Sequence, residues 1–138
     1  MTRLIGGKHP YHVEDDILCL TIRGVFDRDD MEEFLKAAEA VLAQHKDVYL
    51  LGNLHEMSEL TLDARKYTAR WLQTNRCAGA VYYGTSFITR AIVVLVSRGI
   101  NLLTHNSLPV GITDTEQEAR KWITRQRLRA RSPGASGV

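Results

Sequence analysis

The chain has 138 residues, a net charge of +2, and 44% apolar against 25% charged residues. That length holds one ordinary domain, and that balance excludes a disordered chain, a fibre and a disulfide scaffold. No apolar run approaches the roughly 20 residues that cross a bilayer, and the first residues lack the apolar core of a secretory signal, so the expected location is the cytoplasm.

Residues 8–14 read as a short extended segment, with Asp15-Asp16 turning it into a strand over residues 17–23 that Gly24 closes. Ile17-Leu18-Cys19-Leu20 is nearly continuous in apolar character, as a strand covered on both faces should be. Asp27 or Asp29 caps a first helix, on which Met31, Phe34, Leu35, Ala38, Val41 and Leu42 make one apolar face. It is expected to end near residues 44–46. Residues 48–51 form the next strand, stopping at Gly52-Asn53, and residues 54–60 read as a loop. Thr61 or Asp63 caps a second helix that runs to about Asn75, with Tyr67, Trp71 and Leu72 on its stripe. Residues 80–83 form a third central strand closed by Gly84.

Thr85 or Ser86 then caps a third helix over residues 87–103, apolar all round and therefore buried. Residues 110–112 make a short strand, and Thr113, with Glu116 at the third helical position, opens the last helix. All 16 acidic residues lie at or before Glu118, whereas Arg120, Lys121, Arg125, Arg127, Arg129 and Arg131 follow. Those cations suit the negative end of the helix dipole. No aromatic residue follows Trp122 to stack on bases, so nucleic acid is not favoured. Residues 132–138 read as a flexible tail behind a single domain over residues 1–131. Cys19 and Cys77 form no CxxC pair, and both read as buried, reduced thiols. The order β-β-α-β-α-β-α-β-α predicts an α/β fold: a mainly parallel sheet with an N-terminal hairpin strand and four helices.

Complete catalytic motifs are missing. His55-Glu56-Met57-Ser58-Glu59 begins like HExxH but lacks its second histidine. Gly84-Thr85-Ser86-Phe87-Ile88 begins like a nucleophile elbow but lacks its second glycine. Gly6-Gly7-Lys8 lacks P-loop spacing. His9 and His12 are three apart, and on a strand such residues face opposite ways. No catalytic residue, cofactor or metal is therefore expected.

The ends of the two central strands are the expected working surface, because open α/β sheets bind ligands at their carboxyl ends. That rim holds Asn53, His55, Glu56, Ser58 and Thr61 from one junction, and Thr85 and Ser86 from its neighbour. Tyr82, Tyr83, Phe87, Trp71 and Met57 would give a pocket there its apolar walls. A phosphate on Thr61 would sit on free helix N–H groups.

Three segments carry a resemblance to a known family: Asp27-Arg28-Asp29-Asp30-Met31-Glu32-Glu33-Phe34, Val48-Tyr49-Leu50-Leu51-Gly52-Asn53, and Ile112-Thr113-Asp114-Thr115-Glu116-Gln117-Glu118-Ala119-Arg120-Lys121-Trp122-Ile123. Together they resemble the SpoIIAA-like branch of the STAS family, whose fold is also compared with the lipid-binding Sec14 domain. The resemblance implies a non-catalytic regulatory or protein-interaction module of the anti-sigma-factor-antagonist kind, switched by phosphorylation at the start of the second helix. The family's Asp-Ser context is missing from Ser58-Glu59-Leu60-Thr61-Leu62-Asp63-Ala64, so the hydroxyls available there are Thr61 and Ser58. The implied partners are a regulatory kinase or an anti-sigma-like protein, and a second copy of the chain as a homodimer. The Sec14 likeness implies the alternative, a binder of a small apolar ligand or lipid, with Arg125, Arg127, Arg129 and Arg131 turned to anionic lipid.

Overall fold

The fold comes from a computed structural model, in which residues 2–86, 90–91, 93–94, 98 and 108–130 are described. Six strands form one sheet in chain order: β1 (Arg3–Ile5), β2 (His9–Glu14), β3 (Ile17–Phe26), β4 (Tyr49–Leu60), β5 (Gly79–Tyr83) and β6 (Val110–Thr113). The first two pairings are antiparallel, and β3, β4, β5 and β6 run parallel. Three helices are described in full: α1 (Arg28–Leu42), α2 (Leu62–Leu72) and α3 (Glu116–Ala130).

The apolar run of β3 is covered on both faces, as its composition predicts. Leu18, Leu20, Ile22 and Phe26 join one core with Phe34, Leu35 and Ala38 of α1 and Ala64, Trp71 and Leu72 of α2. Ile17 and Cys19 point the other way, and join Tyr49, Leu51 and Val81 beneath Ala119 and Ile123 of α3. Trp122 of α3 lies directly on β-strand glycines. A Cβ at Gly111 would come within 2.5 Å of its indole nitrogen, and one at Gly79 within 3.0 Å of its ring. Gly111→Ala must therefore shift Trp122. It is expected to cost about 1–3 kcal/mol, read as a lowered urea midpoint, whereas an unchanged midpoint would show that the indole is free to move away.

Local chemistry sets the helix starts. Asp27 accepts from the Asp30 N–H at 2.9 Å and Asp30 accepts from the Asp27 N–H at 3.1 Å, a reciprocal capping box. Thr61 caps α2, its Oγ1 accepting the Ala64 N–H at 3.2 Å. The last helix is opened by Thr115 rather than Thr113. Thr115 Oγ1 accepts the Glu118 N–H at 3.2 Å, while the Thr113 hydroxyl donates to the Thr115 carbonyl.

Other boundaries depart from expectation. The short N-terminal strand β1 is additional, turned into β2 by Gly6 and Gly7 at positive φ. Helix α1 ends at Leu42 and α2 at Leu72, each a few residues early. Strand β3 continues through Gly24 to Phe26. The largest correction concerns residues 54–60, which are strand and not loop: β4 runs unbroken from Tyr49 to Leu60. Two register shifts against β3, between Thr21 and Arg23 and between Gly24 and Val25, explain the misreading. Each bulge interrupts the two-residue alternation that marks a strand. Beyond Asn53, β4 also has no partner in β5, so polar side chains are tolerated along an edge.

The sequence places a third helix over residues 87–103. Within it, Arg90, Ala91, Val93, Val94 and Arg98 carry helical backbone, and the Arg90 N–H donates to the Ser86 carbonyl at 2.9 Å. The remainder of that helix, and the tail over residues 132–138, lie outside the described residues.

Candidate binding site

A cavity of about 100 Å³ lies between the sheet and the α1–α2 layer. Its floor is Leu20, Ile22 and Phe26 of β3 with Leu54 and Met57 of β4. Met31, Phe34 and Leu35 of α1 form one wall, and Thr68, Trp71 and Leu72 of α2 another. Cys77, Tyr82, Val93, Leu108 and Val110 also line it.

Polar groups in this lining are few. Thr68 spends its hydroxyl on the Ala64 carbonyl at 2.9 Å. Burial pushes the Tyr82 phenol up to about 12, so it stays protonated at neutral pH. Burial likewise pushes the Cys77 thiol up to about 12; this cysteine is half-buried rather than fully buried as expected. Trp71 brings a buried donor. Its residue is 8% exposed, and its indole nitrogen is buried with no hydrogen-bond partner. The other such buried atom among the described residues is Thr85 Oγ1. Tyr82 is held in place by Gly52, its register partner, where an added Cβ would lie 2.7 Å from the ring.

The predicted rim divides into two places. Asn53, His55 and Gly84 meet at the end of β5: Asn53 Oδ1 accepts the His55 N–H at 3.1 Å, and Gly84 packs on both side chains. Thr85 and Ser86 follow directly, and Ser86 is exposed. Glu56 instead pairs across the edge with Arg23 at 3.2 Å, and Ser58 is exposed farther along β4. Thr61 lies eight residues beyond Asn53, up to about 26 Å of extended chain, so these residues do not form one compact loop.

Of the five expected pocket walls, Met57, Trp71 and Tyr82 line the cavity. Tyr83 faces the α3 side, where its hydroxyl donates to Glu116 at 3.0 Å, and Phe87 lies outside the described residues. Sequence reasoning missed the α1 contribution, although Met31, Phe34 and Leu35 were already legible as that helix's apolar face.

Helix α3 spends part of its positive charge on the body of the domain. Arg120 binds Glu14 at 2.8 Å and Glu116 at 2.9 Å. Arg127 pairs with Asp16 and lies 5.4 Å from the centre of the Tyr49 ring. The paired carboxylate is held low: Arg120, then the Cys19 thiol and His12, bring Glu14 down to about 2. Lys121, Arg125 and Arg129 remain exposed. Among the described residues no helix is long and apolar enough to cross a membrane.

Comparison with curated proteins found no match. Among the solved structures that share the fold are two of SpoIIAA-like kind. One is an uncharacterised protein from Shewanella loihica with a SpoIIAA-like fold, 16% identical, covering 81% of this chain and 88% of that one, at a TM-score of 0.57. The other is the anti-sigma factor antagonist SpoIIAA in its unphosphorylated form, 14% identical, covering 82% of this chain and 94% of that one, at a TM-score of 0.54. The SpoIIAA-like family model matches residues 17–124, from the first residue of β3 to within α3. That span takes in every wall of the cavity and, apart from Ile5, all the buried residues of both cores, and the chain accordingly belongs to the SpoIIAA-like family.

Proposed function

We propose that this chain is a non-catalytic binding module that takes one compact apolar molecule, bearing a single hydrogen-bond acceptor, into the cavity beneath α1 and α2. The observation that carries this reading is the Trp71 indole N–H, buried without a partner on a residue that lines a mostly apolar cavity. A buried donor left unmade costs about 1–3 kcal/mol, which a ligand oxygen or nitrogen would return. The volume of 100 Å³ limits the occupant to something near the size of a five- or six-membered ring. Native mass spectrometry of freshly purified protein tests it. A retained small molecule that disappears in Trp71→Phe supports the reading, and retention unchanged by that substitution counts against it.

A regulatory, protein-interaction role is the second reading. It is favoured by the outer half of β4, which overhangs β5 and leads into Thr61, the N-cap of α2. The fold shared with an anti-sigma factor antagonist supports it. A phosphate on Thr61 or Ser58 would add about −2 charge beside the positive end of α2. With a kinase or anti-sigma-like partner in hand, Thr61→Glu is expected to change partner recovery by tenfold or so relative to Thr61→Ala, with Ser58→Ala and Ser58→Glu as the companion pair. Equal recovery by all four variants would remove the switch.

A further inference from the structure

On the α3 side of the sheet, the β2–β3 hairpin gathers three metal-ligating side chains that neither reading uses. His12 and Cys19 are direct register partners, and Glu14 follows His12 by two residues on the same face. Their ligand atoms converge: His12 Nε2 lies 2.9 Å from Glu14 Oε2, and Cys19 Sγ lies 3.1 Å from that same oxygen. All three atoms fall within 4.8 Å of one another. We infer that His12, Glu14 and Cys19 form a zinc-binding site, with water as the fourth ligand.

The donor chemistry is that of zinc: imidazole nitrogen, carboxylate oxygen and thiolate sulfur. Zinc holds nitrogen and oxygen at about 2.0–2.2 Å and sulfur at about 2.3 Å, so tetrahedral ligand atoms sit roughly 3.3–3.7 Å apart. Small side-chain rotations bring the three atoms to that spacing. In the metal-free protein, protons occupy the position of the cation, since the Cys19 thiol donates to Glu14 Oε2. Binding replaces the S–H bond by a Zn–S bond and releases one proton to solvent, with no change of oxidation state. His12 contributes the Nε2 lone pair and carries its proton on Nδ1. Cys19 is buried at the base of the site, while the half-exposed His12 and Glu14 leave an entry path and room for the water.

Arg120 is the built-in competitor. Its guanidinium holds both Glu14 oxygens, at 2.8 and 3.3 Å, and also Glu116 at 2.9 Å. With zinc bound, Arg120 keeps Glu116 and gives up Glu14, so the site couples the hairpin to α3.

The test titrates the full chain with Zn²⁺ against a chromophoric chelator, and with Co²⁺ as the spectroscopic probe. One equivalent should bind, with a thiolate-to-cobalt charge-transfer band, tetrahedral visible bands and about one proton released per metal. Cys19→Ser should abolish the charge-transfer band. It and His12→Ala should each weaken zinc by at least the roughly 10–100-fold that loss of even an outer-shell partner costs. Arg120→Met, which leaves all three ligands in place, should tighten binding several-fold. His12 is half-exposed, so its variant should keep the wild-type circular dichroism spectrum. Absence of the thiolate band in the wild-type protein, or zinc affinity unchanged in His12→Ala, would overturn the site.

Discussion

Phe26→Ala is expected to lower the free energy of unfolding by about 3–5 kcal/mol, near the top of the range for single core truncations. Phe26 is fully buried at the end of β3, with His9 edge-on at 4.8 Å and Phe34 edge-on at 6.3 Å. It also lines the cavity, so the void left by truncation merges with space already present instead of collapsing. Urea denaturation should show a lowered midpoint at unchanged slope. A loss below about 1 kcal/mol would mean that the α1 face and the cavity do not share one packed core.

Asp30→Ala is expected to cost about 2–4 kcal/mol, through two separate losses. Asp30 is buried, and its Oδ2 serves both the Asp27 N–H of the capping box and His9 Nε2 at 3.3 Å. Removing it strips half of the α1 cap and leaves a fully buried imidazole N–H without an acceptor. The other ring nitrogen is already committed, with Nδ1 accepting the Arg23 N–H at 3.0 Å, so His9 is held neutral with its proton on Nε2.

That arrangement also sets a pH dependence. Burial lowers the His9 pKa below 6.5, Asp30 opposes the shift, and Lys8 adds to it. A histidine with a depressed folded pKa stabilises the fold above its unfolded value and loses that contribution as pH falls. The protein should therefore lose stability as pH drops below 6.5, and His9→Gln should flatten the slope. Asp30→Ala removes the opposing attraction and should extend the loss to lower pH. An unfolding midpoint in His9→Gln that follows the wild-type pH profile would assign the acid sensitivity elsewhere.

The α/β order, the hairpin and the two-sided core were legible because β3 and α1 carry clean patterns. The uninterrupted Ile17–Leu20 run needs cover on both faces, and α1's apolar stripe supplies one of them. The outer half of β4 was not legible, because two bulges against β3 break its alternation and its edge position admits Glu56, Ser58 and Glu59. Strand β1 is three residues long, too short for any period to register.

The candidate sites were legible in fragments. Met57, Trp71 and Tyr82 could be named from helix and strand faces, but their meeting with Met31 and Phe34 depends on how α1 and α2 pack together. The donor cluster could have been found. A two-residue Asp15-Asp16 turn sets Glu14 against Ile17, and counting back sets His12 against Cys19. Along the strand the other histidine, His9, lies on the opposite face from His12, whereas its neighbour Cys19 lies across the hairpin.

The claim that the cavity holds an acceptor-bearing apolar ligand is tested most directly by the two indole N–H resonances. Trp71 lines the cavity, whereas Trp122 packs against the opposite face of the sheet and serves as the internal control. Cyclopentanone and cyclopentane differ in little but the acceptor oxygen. The account predicts that cyclopentanone moves the Trp71 signal downfield and leaves Trp122 in place, and that cyclopentane binds more weakly without the downfield shift. A Trp71 resonance untouched by either molecule at millimolar concentration would contradict it.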